Sequence, residues 1–244
     1  MCRHLAYLGP PVSLQELLVD PESSLVRQSW APRLQTSGVV NADGFGVGWY
    51  ADGDPVPGRY RRDRPIWSDA SFLSLARVVR SAAVLAAVRS ASPGMAAGES
   101  AAAPFTRGRW LFSHNGVIAD YPEAATPLAS SLPPARLLEV EAATDSALLW
   151  ALVSERLEAG ADLGSALSDT VDVAEAASKG RFNFLLTDGR TIAATAVGNS
   201  LVWTADGPGL VVASEPYDDS TGWLHVPDRS LLVGSLDGVT ISPL

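Results

Sequence analysis

Apolar residues recur along this chain as short runs bounded by turn residues. "FGVGWYA" (45–51), "AAVLAAV" (82–88) and "RWLFSH" (109–114) are such runs and read as strands. In "FNFLLTDGRTIAATAV" (182–197) an Asp-Gly pair separates two apolar runs, a strong hairpin signal. "LVWTADGPGLVVAS" (201–214) and "SLLVGSLDGVTIS" (230–242) repeat the pattern, so the last third reads as consecutive antiparallel strands. A second rhythm, with helical spacing, appears in three places. Residues 69–82 open on Asp69 as a cap. Residues 144–160 open on Thr144 or Asp145 and close on Gly160, and residues 163–178 follow. The stretches 90–108 and 120–136 are rich in Ala, Pro, Ser and Gly and read as loops. Antiparallel strands with paired helices predict an α+β layered sandwich. No repeat or linker divides the chain, so residues 1–244 read as a single domain.

Composition narrows the class. Apolar residues make up 47% and charged residues 18%, which suits a folded core and argues against disorder. The net charge is −9 and Lys179 is the lone lysine, so no basic face for nucleic acid is expected. The cluster from Arg59 to Arg64 lies among Gly and Pro and reads as a solvated loop. One cysteine cannot form an internal disulfide, which suits the cytoplasm. No apolar run reaches the roughly 18 residues of a membrane helix, and the start lacks the layout of a signal peptide. Among the three histidines, His4, His114 and His225, no ligand pair has zinc-site spacing apart from Cys2-x-His4, so no metal is expected, and no cofactor is expected either.

That lone cysteine stands at position 2. If Met1 is removed, one residue carries both a thiol and a free α-amine. An α-amine titrates near 7.7–8.0 and can act as a base at neutral pH, which is what a thiol nucleophile needs. The plain alternative is an incidental small hydrophobe. In "FSHNGVI" (112–118) a strand ends in His114-Asn115-Gly116. An Asn amide and a Gly N–H can form an oxyanion hole, or the three can be an ordinary strand end. Arg89, in "AAVRSASPG", can grip a carboxylate with its fork or serve structure alone. Asp145, in "ATDSALL", can cap a helix or accept from a substrate ammonium. "NADGFGVGWY" (41–50) has spaced glycines but no helix after them. Close backbone approach in a sheet is the better reading than a phosphate loop.

Cys2, "NADGFGVGW", the Arg of "VRSASPG", "SHNG" and "TDS", in that order, resemble the class II glutamine amidotransferases. The resemblance runs along nearly the whole chain. It implies an N-terminal-nucleophile αββα four-layer fold with mostly antiparallel sheets. It also implies roles: Cys2 as nucleophile with its own amine as base, Asn115 and Gly116 as oxyanion donors. Arg89 would hold the substrate α-carboxylate and Asp145 the α-ammonium, with His114 among the substrate-binding residues. The arginine motif reads "RSASPG" here where many relatives have Arg-x-Ala-Thr. Within the family, "MCRHL", "APR", "HNGV" and "SEPYDD…GW…VPDR" are similar to the amidohydrolase branch of ergothioneine biosynthesis. That implies a small γ-glutamyl substrate, γ-glutamyl-hercynylcysteine S-oxide. No synthetase domain follows, so a hydrolase is expected rather than an ammonia donor. The alternatives are a hydrolase of another γ-glutamyl compound, a glutaminase subunit, or a non-catalytic ligand-binding or thiol-sensing protein. The implied leaving group carries a quaternary ammonium, which aromatic faces and carboxylates hold. Tyr217, Asp218, Asp219 and Trp223 are therefore either a leaving-group subsite or braces for their own loop.

Overall fold

The computed structural model describes residues 2–36, 38–207 and 209–244. Its strands are β1 (Arg3–Ser13), β2 (Phe45–Trp49), β3 (Gly58–Arg62), β4 (Arg80–Val88), β5 (Phe105–Arg107), β6 (Trp110–Ile118), β7 (Gly180–Thr187), β8 (Ile192–Ala196), β9 (Val202–Thr204), β10 (Leu210–Ala213), β11 (Leu224–His225), β12 (Ser230–Ser235) and β13 (Gly238–Pro243). Its helices are α1 (Leu14–Leu18), α2 (Leu25–Gln28), α3 (Ala70–Ala76), α4 (Thr126–Ser130), α5 (Pro134–Leu138), α6 (Asp145–Glu158) and α7 (Leu163–Ala177). One sheet has seven strands in the order β11-β9-β10-β1-β4-β2-β3, and the other six in the order β13-β12-β8-β7-β6-β5.

Period-two alternation decides which layer each side chain joins. On β6, Leu111 turns inward to Leu8, Leu85 and Ile192 between the sheets. Phe112 turns outward and stacks on Trp150 of α6 at 5.3 Å. On β1, Ala6 and Leu8 face the other sheet, while Leu5 and Tyr7 face the helices α1, α2 and α3. Helices α4, α6 and α7 cover the outer face of the six-stranded sheet. The result is the expected αββα sandwich. The glycines of "NADGFGVGWY" let the sheets meet: a Cβ on Gly46 would lie 2.3 Å from the Ala103 carbonyl, and one on Gly48 would lie 2.6 Å from Leu111.

Local expectations differ in five places. The helix expected over 69–82 ends at Ala76, because Arg80–Val88 pairs with β1 on one side and, from Val84, with β2 on the other. Ladder bonds to β1 outweigh the helical spacing of 80–82. The stretch 90–108 contains β5, and 120–136 contains α4. Pro127 and Pro134 occupy the first turns of α4 and α5, where a missing N–H costs nothing. The first strand was hidden by Pro10 and Pro11, which sit where its register shifts between Leu8 and Val12. The Arg59–Arg64 cluster is no solvated loop. Arg59, Arg61 and Arg62 lie on the edge strand β3, and charged side chains suit an edge.

Candidate active site

Cys2 stands just ahead of β1, near the middle of the seven-stranded sheet, and is half-buried. Its nitrogen donates to Asn115 Oδ1 at 3.1 Å across the gap between the sheets. Its thiol reaches the Ser90 carbonyl at 3.9 Å. Met1, whose removal the expected chemistry requires, lies outside the described residues.

Asn115 reaches this gap because it shares the inward face of β6 with Leu111 and Ser113. Its Nδ2 is 3.5 Å from Ser214 Oγ, at the outer limit of a hydrogen bond, so the amide keeps donor capacity. Alternate N–H groups of an antiparallel strand point to opposite sides. The Ile118 N–H leaves β7 and donates to Asp145 Oδ2 at 3.0 Å. Gly116, two residues earlier, turns its N–H the same way. A Cβ there would lie 1.8 Å from the Arg181 carbonyl, so only glycine fits.

A small cavity beside the thiol is lined by Cys2, Arg89, Ser113, His114 and Ser146. Arg89 directly follows β4 and is buried. Its Nη2 donates to the Ala96 carbonyl at 2.7 Å and its Nη1 to the Asp43 carbonyl at 3.4 Å. Its backbone N–H donates to the Gly44 carbonyl at 2.7 Å, which ties it to the glycine motif. Asp145 is buried one step behind the cavity wall. The cap of α6 is Thr144, whose hydroxyl accepts from the Ala147 N–H. That leaves Asp145 as the first helical residue, with Oδ1 accepting from the Ser146 N–H at 2.7 Å. His114 edges the cavity with both ring nitrogens engaged: Nε2 lies 2.9 Å from the Arg181 carbonyl and Nδ1 3.0 Å from Ser146 Oγ. Only an Nε2–H can serve a carbonyl, so Nδ1 accepts from the Ser146 hydroxyl. Burial lowers the His114 pKa, with Asp145 opposing.

Behind the cysteine the polar groups are sealed in. His4 Nδ1 is 3.1 Å from Ser113 Oγ. Burial, then the charge of Arg3, push the His4 pKa down to about 3. Arg3 is fully buried against Glu215 at 3.9 Å, and its Nε donates to Gln35 Oε1 at 3.1 Å. Glu215 also accepts from the N–H groups of Arg33 and Leu34. Sequence reasoning missed Ser113, Ser146 and Ser214. The first two lie inside motifs already singled out, "SHNG" and "TDS". Ser214 opens "SEPYDD", a motif singled out for its aromatic and acidic residues and not for its serine.

The aromatic and acidic segment 214–223 is turned inward on itself. Trp223 Nε1 donates to Asp218 Oδ1 at 2.8 Å. Tyr217 meets Trp223 edge-on at 5.1 Å, and both pack on the outer core of the seven-stranded sheet. Asp219 pairs with Arg33 at 2.7 Å. Of the two readings of this loop, bracing is the one the geometry supports.

The description of glutamine amidotransferases class-II matches residues 17–209. The chain belongs to the class II glutamine amidotransferases. Gamma-glutamyl-hercynylcysteine sulfoxide hydrolase of Mycolicibacterium smegmatis is 43% identical to this amidotransferase over 245 residues, covering 100% of both chains. The protein of that name in Mycobacterium tuberculosis is 44% identical, over 100% of this chain and 97% of its own. Among solved structures, a glutamine aminotransferase class-II domain protein of Silicibacter pomeroyi has a TM-score of 0.70 at 25% identity, covering 99% of each chain. Glutamine phosphoribosylpyrophosphate amidotransferase of B. subtilis, at 18% identity, shares the fold with a TM-score of 0.68. The match covers 99% of this chain and 49% of that one. Among the described residues no helix is long and apolar enough to cross a membrane.

Proposed function

We propose that this amidotransferase hydrolyses the γ-glutamyl amide of γ-glutamyl-hercynylcysteine S-oxide, releasing glutamate and hercynylcysteine S-oxide. The substrate rests on the full-length similarity to relatives of that name. The observation that carries the chemistry is the contact of Cys2 nitrogen with Asn115. It supports a reading in which nucleophile, base and oxyanion donor share one small volume.

With Met1 removed, the Cys2 amine takes the thiol proton, and the thiolate attacks the γ-carbonyl. Asn115 Nδ2 and the Gly116 N–H receive the oxyanion. The amine then protonates the departing nitrogen, and a γ-glutamyl thioester remains on Cys2. Water attacks the thioester with the amine as base, and glutamate leaves. Arg89 holds the α-carboxylate through its guanidinium fork. Asp145 accepts from the α-ammonium, and His114 acts at one remove by holding Ser146 against Asp145. These steps use side chains, the Cys2 α-amine, the Gly116 N–H and water, and call for no metal or cofactor. We place the reaction in the cytoplasm, in a chain acting as one amidotransferase domain.

Two measurements test this. Intact mass of the active protein is expected to show a chain beginning at Cys2. Full activity in a population retaining Met1 would overturn the base assignment. Glutamate release from a γ-glutamyl anilide separates an enzyme from a thiol sensor, which would release none.

A further inference from the structure

Strand β3 carries three arginines that the chemistry above does not use, and two of them, Arg59 and Arg61, reach a part-buried carboxylate. Arg59 Nη1 and Arg61 Nη2 grip the carboxylate of Glu141 at 3.0 and 2.6 Å. Glu141 lies between α5 and α6, just ahead of Asp145. The same arginines hold a second segment. Arg61 Nη1 donates to the Ser100 and Ala102 carbonyls at 3.3 and 3.2 Å, and Arg59 Nη1 donates to the Pro104 carbonyl at 3.3 Å. Arg62 pairs with Glu99 at 3.0 Å. This second segment runs from Arg89 and supplies Ala101 and Ala103 to the wall of the Cys2 cavity.

The two segments also touch each other. The Ala96 N–H donates to the Ala143 carbonyl at 3.3 Å. Arg89 Nη2 donates to the carbonyl of that same Ala96. One continuous chain of contacts therefore joins Arg89, Ala96, Ala143 and, two residues on, Asp145. The clamp of Arg59, Arg61 and Glu141 closes the ring from the far side. Its side chains are 12–26% exposed, so solvent screens them less than an ordinary surface pair. Burial and the neighbouring Arg59 both push the Arg61 pKa down, and Glu141 opposes them. Without Glu141, two guanidinium groups would be left to repel each other.

We propose that Arg59, Arg61 and Glu141 are positioning residues that set the separation of Arg89 and Asp145. Through it they set selectivity for substrates bearing both an α-carboxylate and an α-ammonium. The proposal rests on the head-group roles given to Arg89 and Asp145 above. None of the three clamp residues touches substrate. Their effect passes through the backbone of residues 96–104 and 141–145.

The test compares wild type with Glu141→Gln, which keeps the side-chain shape and removes the charge. Arg61→Lys, which keeps the charge and loses the fork, is the second variant. Glutamate release from a γ-glutamyl anilide and glutarate release from the matching glutaryl anilide, which lacks the α-ammonium, are measured together with melting temperature. The expected result for both variants is a KM for the γ-glutamyl anilide raised about tenfold, with kcat changed by less than about threefold. Preference over the glutaryl anilide should fall by a similar factor, because small misplacement of a binding group costs this much. Glu141→Asp should recover part of the preference. A variant that melts lower but keeps wild-type KM and preference would overturn the clamp and leave a brace. A wild type that releases glutamate with no preference would overturn the head-group roles themselves, and the clamp with them.

Discussion

The cavity at Cys2 and the loop 214–223 both hold many groups able to do chemistry, and they differ in what those groups do in the fold. In the loop, Asp218 is taken by Trp223, Asp219 by Arg33, and Tyr217 packs on Trp223. At the cavity, among the described residues, Asn115 Nδ2 has only a contact of 3.5 Å, the Gly116 N–H points away from its ladder, and the thiol has one long contact. A site is marked by donors and nucleophiles left with capacity, and a brace by groups that satisfy one another. Both regions are rich in polar and titratable side chains, so that richness alone cannot separate them.

Mutations should break this contrast in order of size. Cys2→Ala should abolish turnover while the protein still folds, because the residue is half-buried at the chain start and supports little packing. Circular dichroism and glutamate release decide it, and more than a trace of activity would reveal another nucleophile. Asn115→Ala should lower kcat by about 10²–10³, the usual loss of one oxyanion donor. An effect confined to KM would remove it from that role. Arg89→Lys keeps the charge and loses the fork. It should cut discrimination against substrates lacking the α-carboxylate by about tenfold or more, a factor worth about 1.4 kcal/mol of transition-state binding. Equal discrimination by wild type and variant would exclude Arg89 from the site.

The region behind the cysteine gives a pH signature. Burial moves the His4 pKa from its usual 6.5 to about 3. Between these values the unfolded chain binds a proton that the native protein refuses. Stability from this group is therefore complete above about pH 6.5 and falls as the pH drops, by at most about 1.4 kcal/mol per pH unit. Denaturant unfolding between pH 7 and 4 should show the decline, and His4→Gln should flatten it. The smallest effect on catalysis belongs to the loop. Trp223→Phe removes one hydrogen bond and should cost about 0.5–1.5 kcal/mol of stability. It should leave kcat/KM within about twofold. A large loss of activity would restore the loop as a leaving-group subsite.

The sandwich was legible because its strands alternate and its hairpins carry Asp-Gly turns, as at Asp188-Gly189. The long helices α6 and α7 were legible from caps and spacing. β1 was not, since two prolines sit at a register shift that no local rule anticipates. β3 was not, since an arginine-rich edge strand looks like a solvated loop until Glu141 arrives from a distant segment. The site shows the same limit. Cys2, Arg89, Asn115 and Asp145 stood out by residue type and order. Ser214, which accepts from the His4 N–H beside Asn115, depends on a contact between the first strand and the tenth.

The central claim is a thiol hydrolase built for one γ-glutamyl compound. The direct measurement is glutamate release from γ-glutamyl-hercynylcysteine S-oxide and from free glutamine under the same conditions. A kcat/KM ratio of at least about 10³, roughly 4 kcal/mol of transition-state discrimination, is expected. Comparable values for the two would contradict the assignment and leave a general glutaminase.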